Sequence, residues 1–445
     1  MNSYPLTKNQ QEACIEAIKQ IVAIPSVLDE NSQSTPFGQD IQKCLEETLS
    51  ICSSLGLETY LDDEGYYGYA EIGEGKETLA VLCHLDVVPA DNEADWTHPP
   101  FEPVIDNGKL YGRGTQDDKG PSIITLFALK ALIDAGYTFN KKIRFIFGTD
   151  EETLWRCMDK YNKKEEKADL GFAPDSKFPL IYAEKGLWQL NLTGPGHDEL
   201  ALNTGAAFNV VPDKAIYTGD NKTKVKEALD HLEFDYDDVD DSLIVKGKSI
   251  HSKDAPKGIN AVTRLAKALG QVYEHPTLTF LNDIVNQDPH ATNIFGELAD
   301  EASGKLTFNV AKIEVTPTES KLFIDVRLPV TADKEELERI IANIAQENGL
   351  TYQEFDYLAS LYVPKDSELV QTLLAIYRER TGDQTEPISS GGATYARMMD
   401  NCVCFGARLP ETPDLAHQVD EYIPLENIYE SLEIYAETLK RLACQ

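Results

Sequence analysis

The chain has 445 residues, 42% of them hydrophobic, and a formal net charge of −34 at pH 7. That length exceeds one compact core, so two or three domains are expected. The acidity argues against nucleic acid or an anionic membrane surface as a partner and leaves a well-solvated acidic surface.

The elements follow in chain order. Residues 9–24 carry an apolar helical stripe at Cys14, Ile18, Ile21 and Val22, closed by Pro25. Residues 40–56 repeat it with Ile41, Cys44, Leu45, Leu49 and Cys52, ending at Gly56. Two apolar strand runs come next, "TLAVLC" at 78–83 and "KIRFIFG" at 142–148. Between them, residues 120–136 read as a helix with Pro121 in the first turn and Gly136 past the end. This alternation predicts an α/β fold, a mostly parallel sheet covered by helices.

After residue 186 the texture changes. The acidic run "EFDYDDVDD", shorter strands such as "LFIDVRLPV", and a helix around 333–349 predict an inserted α+β domain. Long helical patterns return near 362–382 and at 425–443. The expected division is a catalytic domain in two parts, 1–187 and 364–445, around a lid domain at 188–363. No apolar run approaches the about 20 residues needed to cross a bilayer. The first twenty residues lack a basic segment ahead of an apolar one, so no secretory signal is expected. Eight cysteines, at 14, 44, 52, 83, 157, 402, 404 and 444, show no zinc-ribbon or CxxC spacing. They read as reduced core thiols of a cytoplasmic protein.

Acidic residues gather directly after strand runs. His84 and Asp86 follow "TLAVLC", Asp117 lies in "GRGTQDDKG", Glu151 and Glu152 follow "IRFIFGTD", and Asp175 follows "LGFA". Each falls at the carboxyl end of a strand, where open α/β sheets bind ligands. If the strand runs on through Asp86, period-two alternation aims it with His84, and its carboxylate would fix the imidazole tautomer. The plain alternative is a His–Asp pair that merely satisfies itself at a strand end. Adjacent carboxylates such as Glu151–Glu152 repel unless a cation lies beside them. Imidazole and carboxylate donors without thiolate suit Zn²⁺, Mn²⁺ or Co²⁺.

The series "HLDVVP", "GRGTQDDKGP", "GTDEET", "FAPDSKFPLIYAEKG" and "AHQVDEYI" resembles that of the two-metal aminoacylase/carboxypeptidase-type metallopeptidases. Within that family it most resembles the bacterial peptidase V (PepV)-type dipeptidases. The resemblance implies two divalent metal ions, Zn²⁺ before Mn²⁺ or Co²⁺. One would take His84 and Asp175, the other Glu152 and His417, with Asp117 shared by both. It also implies Asp86 as the residue orienting His84, Glu151 as general base toward a metal-bridging water, and a cis peptide at Asp117–Asp118.

In the inserted domain, His251 resembles the lid histidine that steadies the oxyanion. Asn209 and Arg327 resemble the residues that hold the substrate's backbone and free carboxylate. For Arg327 a surface salt bridge is the alternative. The glycine-rich "SSGGATYAR" at 389–397 is a candidate source of backbone N–H groups, and His98, His197, His231, His275 and His290 match no motif.

Leu154 stands where the family usually has glycine, and Ile250 where a small residue precedes the lid histidine. Both bear on substrate preference. The implied activity is hydrolysis of L-dipeptides with a free C-terminus, by a monomer whose His251 serves its own chain. Deacylation of N-acyl or N-succinyl amino acids by the same metals is the alternative. A non-catalytic peptide-binding relative is the third reading, and it would require a lost ligand or base.

Overall fold

The computed structural model describes residues 6–90 and 93–444. The chain forms two compact units: residues 1–182, 362–388 and 394–445 make the first, and residues 183–361 with 389–393 the second.

The first unit is built on a nine-stranded sheet. Its centre is parallel: Thr78–His84 lies between Lys142–Gly148 and Leu170–Ala173, and Cys402–Cys404 continues the order beyond Leu170–Ala173. Gly68–Ile72 and Glu58–Leu61 add antiparallel strands on the other side. The two apolar runs are buried from their second residue on, as strands covered on both faces must be.

The helix Lys119–Asp134 is buried around most of its circumference. It packs against the helices Lys8–Val22 and Leu425–Ala443. Lys8–Val22 is started by a Thr7–Gln10 capping box, which satisfies two backbone N–H groups that a helix end leaves open.

The second unit centres on an antiparallel sheet in the order Leu202–Gly205, Thr307–Val315, Glu319–Leu328, Gly186–Pro195, Thr351–Leu358. Alternation divides its faces. Leu190, Leu192, Leu322, Ile324 and Val326 share one core with the helices Ala261–Leu269 and Lys334–Glu347. The other face carries polar residues in register: Gln189 opposite Asp325, Asp325 opposite Asn309, and Arg327 opposite Thr307.

The acidic run "EFDYDDVDD" contains the strand Tyr236–Val239, which pairs with Ser242–Lys246. Lys222 and Lys226 hold Asp238 at 2.6 and 2.7 Å. Seven of the eight cysteines are buried, and Cys444 is partly exposed. Among the described residues no helix is long and apolar enough to cross a membrane.

Candidate metal centre

The strand Thr78–His84 ends on the imidazole itself. Leu85 still donates to the Gly148 carbonyl, but Val87 turns away to donate to Ser26 at 3.0 Å. The alternation expected to carry through Asp86 stops one pair short. His84 Nδ1 donates to the main-chain carbonyl of Asp86 at 3.0 Å, while the carboxylate Oδ1 stands 3.5 Å away. The other carboxylate oxygen accepts the Glu152 N–H at 2.9 Å. Asp86 therefore orients the ring through its backbone and uses its side chain to tie the Glu152 turn to the His84 strand end.

A carbonyl only accepts, so Nδ1 carries the proton and Nε2 of the neutral ring presents a lone pair. That nitrogen lies 2.9 Å from Asp117 Oδ1 and 3.8 Å from Asp175 Oδ2. Asp117 arrives on the turn ahead of Lys119–Asp134, and its peptide bond to Asp118 is cis. The neighbouring aspartates divide in role. Asp118 is fully buried and accepts the His84 N–H at 3.1 Å and the Ser122 hydroxyl at 2.9 Å.

Glu151 and Glu152 lie in the turn after Lys142–Gly148. Buried Asp150 shapes that turn by accepting the Arg156 backbone N–H and the Arg156 guanidinium at 2.8–2.9 Å. Trp155 adopts a left-handed backbone, φ 57°, and its indole N–H donates to the Glu151 carbonyl. His417, also left-handed at φ 65°, places Nε2 3.0 Å from Glu152 and 3.1 Å from Asp117 Oδ2.

Two donor sets result, His84–Asp117–Asp175 and Asp117–Glu152–His417, each with its atoms within 4.8 Å of one another. Asp117 belongs to both; Glu151 belongs to neither.

The electrostatics show what this arrangement lacks. Burial, then the Asp117 charge, pushes Asp175 up to about 7. Burial raises Glu151 well above the carboxylate range, with the charges of Asp175 and Glu152 adding to it. Burial works against charge on Asp117 too, but hydrogen bonds from His417 and His84 outweigh it and hold that carboxyl low. His417 is raised to about 10 by its bonds to Asp117 and Glu152. Burial opposes charge on His84, yet its contacts with Asp117, Asp175 and Asp86 lift it well above the ordinary imidazole value.

An imidazole nitrogen aimed at two carboxylates, with further buried acids beside it, calls for positive charge, which without a cation falls to protons on His84 and the acids. A divalent cation supplies that charge with a donor set of the right chemistry, so the residues fit a metal centre.

The second unit gathers its own polar cluster. Ser252 donates its N–H to the Asn209 carbonyl at 2.8 Å, and Val210 pairs with His251. Asn209 and His251 are exposed. His251 Nδ1 accepts the Lys253 N–H at 3.2 Å, so the proton of the neutral ring sits on Nε2. Partial desolvation of the ring by its neighbours, helped by the nearby Arg327 charge, lowers the His251 pKa and favours that neutral form.

Arg327 is only 2% exposed, so it is not a surface pair. Asp325 takes Nε at 2.7 Å and Nη2 at 3.0 Å, Ser252 takes the other Nη2 hydrogen, and Gly391 accepts from Nη1 at 3.3 Å. Four of five guanidinium hydrogens are committed, leaving one on Nη1. The sheet register sets Asp325 on the same face as Arg327, two residues away.

Other groups were not evident from the motifs. Tyr395, inside the glycine-rich "SSGGATYAR", is fully buried with its ring 5.9 Å from the His84 ring, and its hydroxyl lies 2.6 Å from Cys157 Sγ. Gln116 and Glu421 lie within recognised motifs but outside both donor sets. The unmatched histidines that carry hydrogen bonds have structural partners: His197 Nδ1 accepts the Glu199 N–H, His275 Nδ1 accepts the Thr277 N–H, and His290 Nδ1 donates to the Leu306 carbonyl at 2.7 Å.

Comparison with known proteins identifies relatives of the chain. A Staphylococcus aureus (strain USA300) protein named "Putative dipeptidase" is 33% identical over 463 residues, covering 98% of both chains. Human carnosine dipeptidase 1 shares the fold with a TM-score of 0.59 at 16% identity, over 96% of this chain and 95% of that one. Aminoacylhistidine dipeptidase from Vibrio alginolyticus does so at 0.60 and 13%, over 98% and 97%. The sequence model for peptidase family M20/M25/M40 matches residues 80–441, a span that contains both donor sets. This chain belongs to that family and is a metallopeptidase.

Proposed function

We propose that the protein is a dipeptidase that hydrolyses the peptide bond of L-dipeptides with a free C-terminus. The observation that carries this reading is the pair of donor sets sharing Asp117, with Glu151 adjacent in sequence but outside both. One divalent cation would be held by His84 and Asp175, a second by Glu152 and His417, with Asp117 common to both; Zn²⁺ suits these donors first, then Mn²⁺ and Co²⁺. Bound there, the two ions would acidify water and polarise the scissile carbonyl.

The chain's own residues do the remaining work. Glu151 takes the proton from the attacking water as its oxygen bonds to the carbonyl carbon. It then returns that proton to the amine nitrogen as the C–N bond breaks. His251 offers its Nε2–H to the developing oxyanion. Asn209 and the one uncommitted Nη1 hydrogen of Arg327 hold the backbone and carboxylate of the substrate. The name of the Staphylococcus aureus relative supports a dipeptide substrate, and the scattered spacing of the eight cysteines supports a reducing, cytoplasmic setting.

The same reading has the protein act as a monomer, each His251 serving its own chain. Activity regained on mixing Glu151→Gln with His251→Ala chains would count against that.

The decisive experiment strips the protein of metal and reloads it separately with Zn²⁺, Mn²⁺ and Co²⁺. Each form is then assayed on dipeptides, tripeptides and N-acyl amino acids. Dipeptides should be cleaved far faster than the other two classes. Preferential release of acyl groups, or no turnover with any of the metals, would overturn the proposal.

A further inference from the structure

The loops that deliver Asp117 and His417 are joined by side chains outside both donor sets. Gln116, beside Asp117 in the chain, commits its amide to the His417 loop. Its Nε2 donates to the carbonyls of Pro413 at 3.1 Å and Tyr422 at 2.7 Å, and its Oε1 accepts the Leu415 N–H at 3.1 Å. Glu421, four residues past His417 and fully buried, reaches back the other way. Its Oε1 accepts the N–H groups of Gly114 at 3.1 Å and Gln116 at 2.8 Å, and Oε2 accepts Arg113 Nη1 at 2.7 Å. The Gly112 N–H donates to the Glu421 carbonyl at 3.0 Å.

His417 needs such support more than its counterparts do. It is half exposed and holds a left-handed backbone that a side-chain-bearing residue keeps only where its surroundings enforce it. His84 and Asp175 differ. His84 ends Thr78–His84, and Asp175 follows Leu170–Ala173, its parallel neighbour in the sheet. Ladder bonds to Lys142–Gly148 hold His84, and Asp175 lies in the short bend between Leu170–Ala173 and Ser176–Lys177.

We propose that Gln116 and Glu421 are positioning residues for one half of the centre. By lacing the His417 loop to the Asp117 turn, they set the affinity of the Asp117–Glu152–His417 set for a divalent cation. The His84–Asp117–Asp175 set shares Asp117 but loses less, because neither His84 nor Asp175 takes a hydrogen bond from these two residues. This inference rests on the two-metal reading, and the test separates the two.

Zn²⁺ is titrated calorimetrically into the metal-free full-length protein, unaltered and as Gln116→Leu and Glu421→Gln. Gln116→Leu removes three hydrogen bonds at similar volume, whereas Glu421→Gln keeps the shape but mismatches the N–H donors around it. Fewer than two bound Zn²⁺ in the unaltered protein would defeat the two-metal reading itself. With two bound there, each variant should show one site weakened about 10- to 100-fold, in the range for lost outer partners of metal ligands. The other site should stay within about threefold. Equal weakening of both sites, or no change in either, would overturn the inference. So would loss of folding in both variants, because the two residues would then support the whole unit rather than one set.

Discussion

Gly148→Ala provides a test of how the first donor set is supported. Gly148 ends the strand Lys142–Gly148, and its carbonyl accepts the Leu85 N–H just beyond His84. A Cβ there would fall inside the van der Waals envelope of Tyr395, against its hydroxyl and ring, with Cζ at 2.7 Å. Comfortable carbon contacts lie near 3.5–4.0 Å, so the ring must retreat by about 1 Å. It has little room to do so. Tyr395 is fully buried, packed 5.9 Å from the His84 ring and 5.7 Å from Trp155.

Overpacking of this kind costs about 1–3 kcal/mol. The unit holds about 260 residues, for which unfolding entropy is about 0.55 kcal/mol/K, so the melting temperature should fall by about 2–6 °C. Differential scanning calorimetry of the metal-free protein measures that drop. Zinc titration should show weaker binding at the set containing His84, whose ring rests on the displaced tyrosine. Tyr395→Leu in the same chain should relieve the collision, so the double variant loses less than the sum of the two single losses. Unchanged melting and zinc affinity in Gly148→Ala, or strict additivity in the double variant, would refute the reasoning.

Glu151→Gln should keep both metals yet lower turnover by about 10²–10⁴, the usual worth of a general base, whereas Glu152→Gln should lose metal; equal metal loss in elemental analysis would erase the distinction. Asp325→Asn leaves Arg327 buried without its charge partner and should cost about 3–5 kcal/mol in urea unfolding. A loss below about 1 kcal/mol would mean that the arginine finds solvent. Burial pushes the Cys157 thiol up to about 12, and the half-buried Cys444 thiol up to about 11. Thiolate is therefore scarce at pH 8 and increases only as pH rises toward those values. The native protein should react with a thiol reagent slowly and at Cys444 alone, and at all eight cysteines once unfolded. Rapid labelling of several native thiols would contradict the burial described.

Local pattern carried much of this protein. The strand runs at 78–83 and 142–148 appear as Thr78–His84 and Lys142–Gly148, and "LGFA" is the strand Leu170–Ala173. Apolar runs buried on both faces suit little except the interior of a helix-covered sheet. Because parallel strands end on one side, His84, Glu152 and Asp175 just after them converge, and loops bring Asp117 and His417 to them.

Sequence alone left undecided the features that depend on partners distant in the chain. Whether Asp86 grips His84 by carboxylate or carbonyl turned on where the strand ended, set partly by the Val87 bond to Ser26. Whether Arg327 stood open depended on Asp325 sharing its face and on Ser252 and Gly391 accepting its remaining donors. Gln116 and Glu421 lie about 300 positions apart, and no periodicity relates them. Period and composition act over a few residues, where backbone geometry is repetitive. A hydrogen bond between two loops exists only once the whole sheet has set the distance between them.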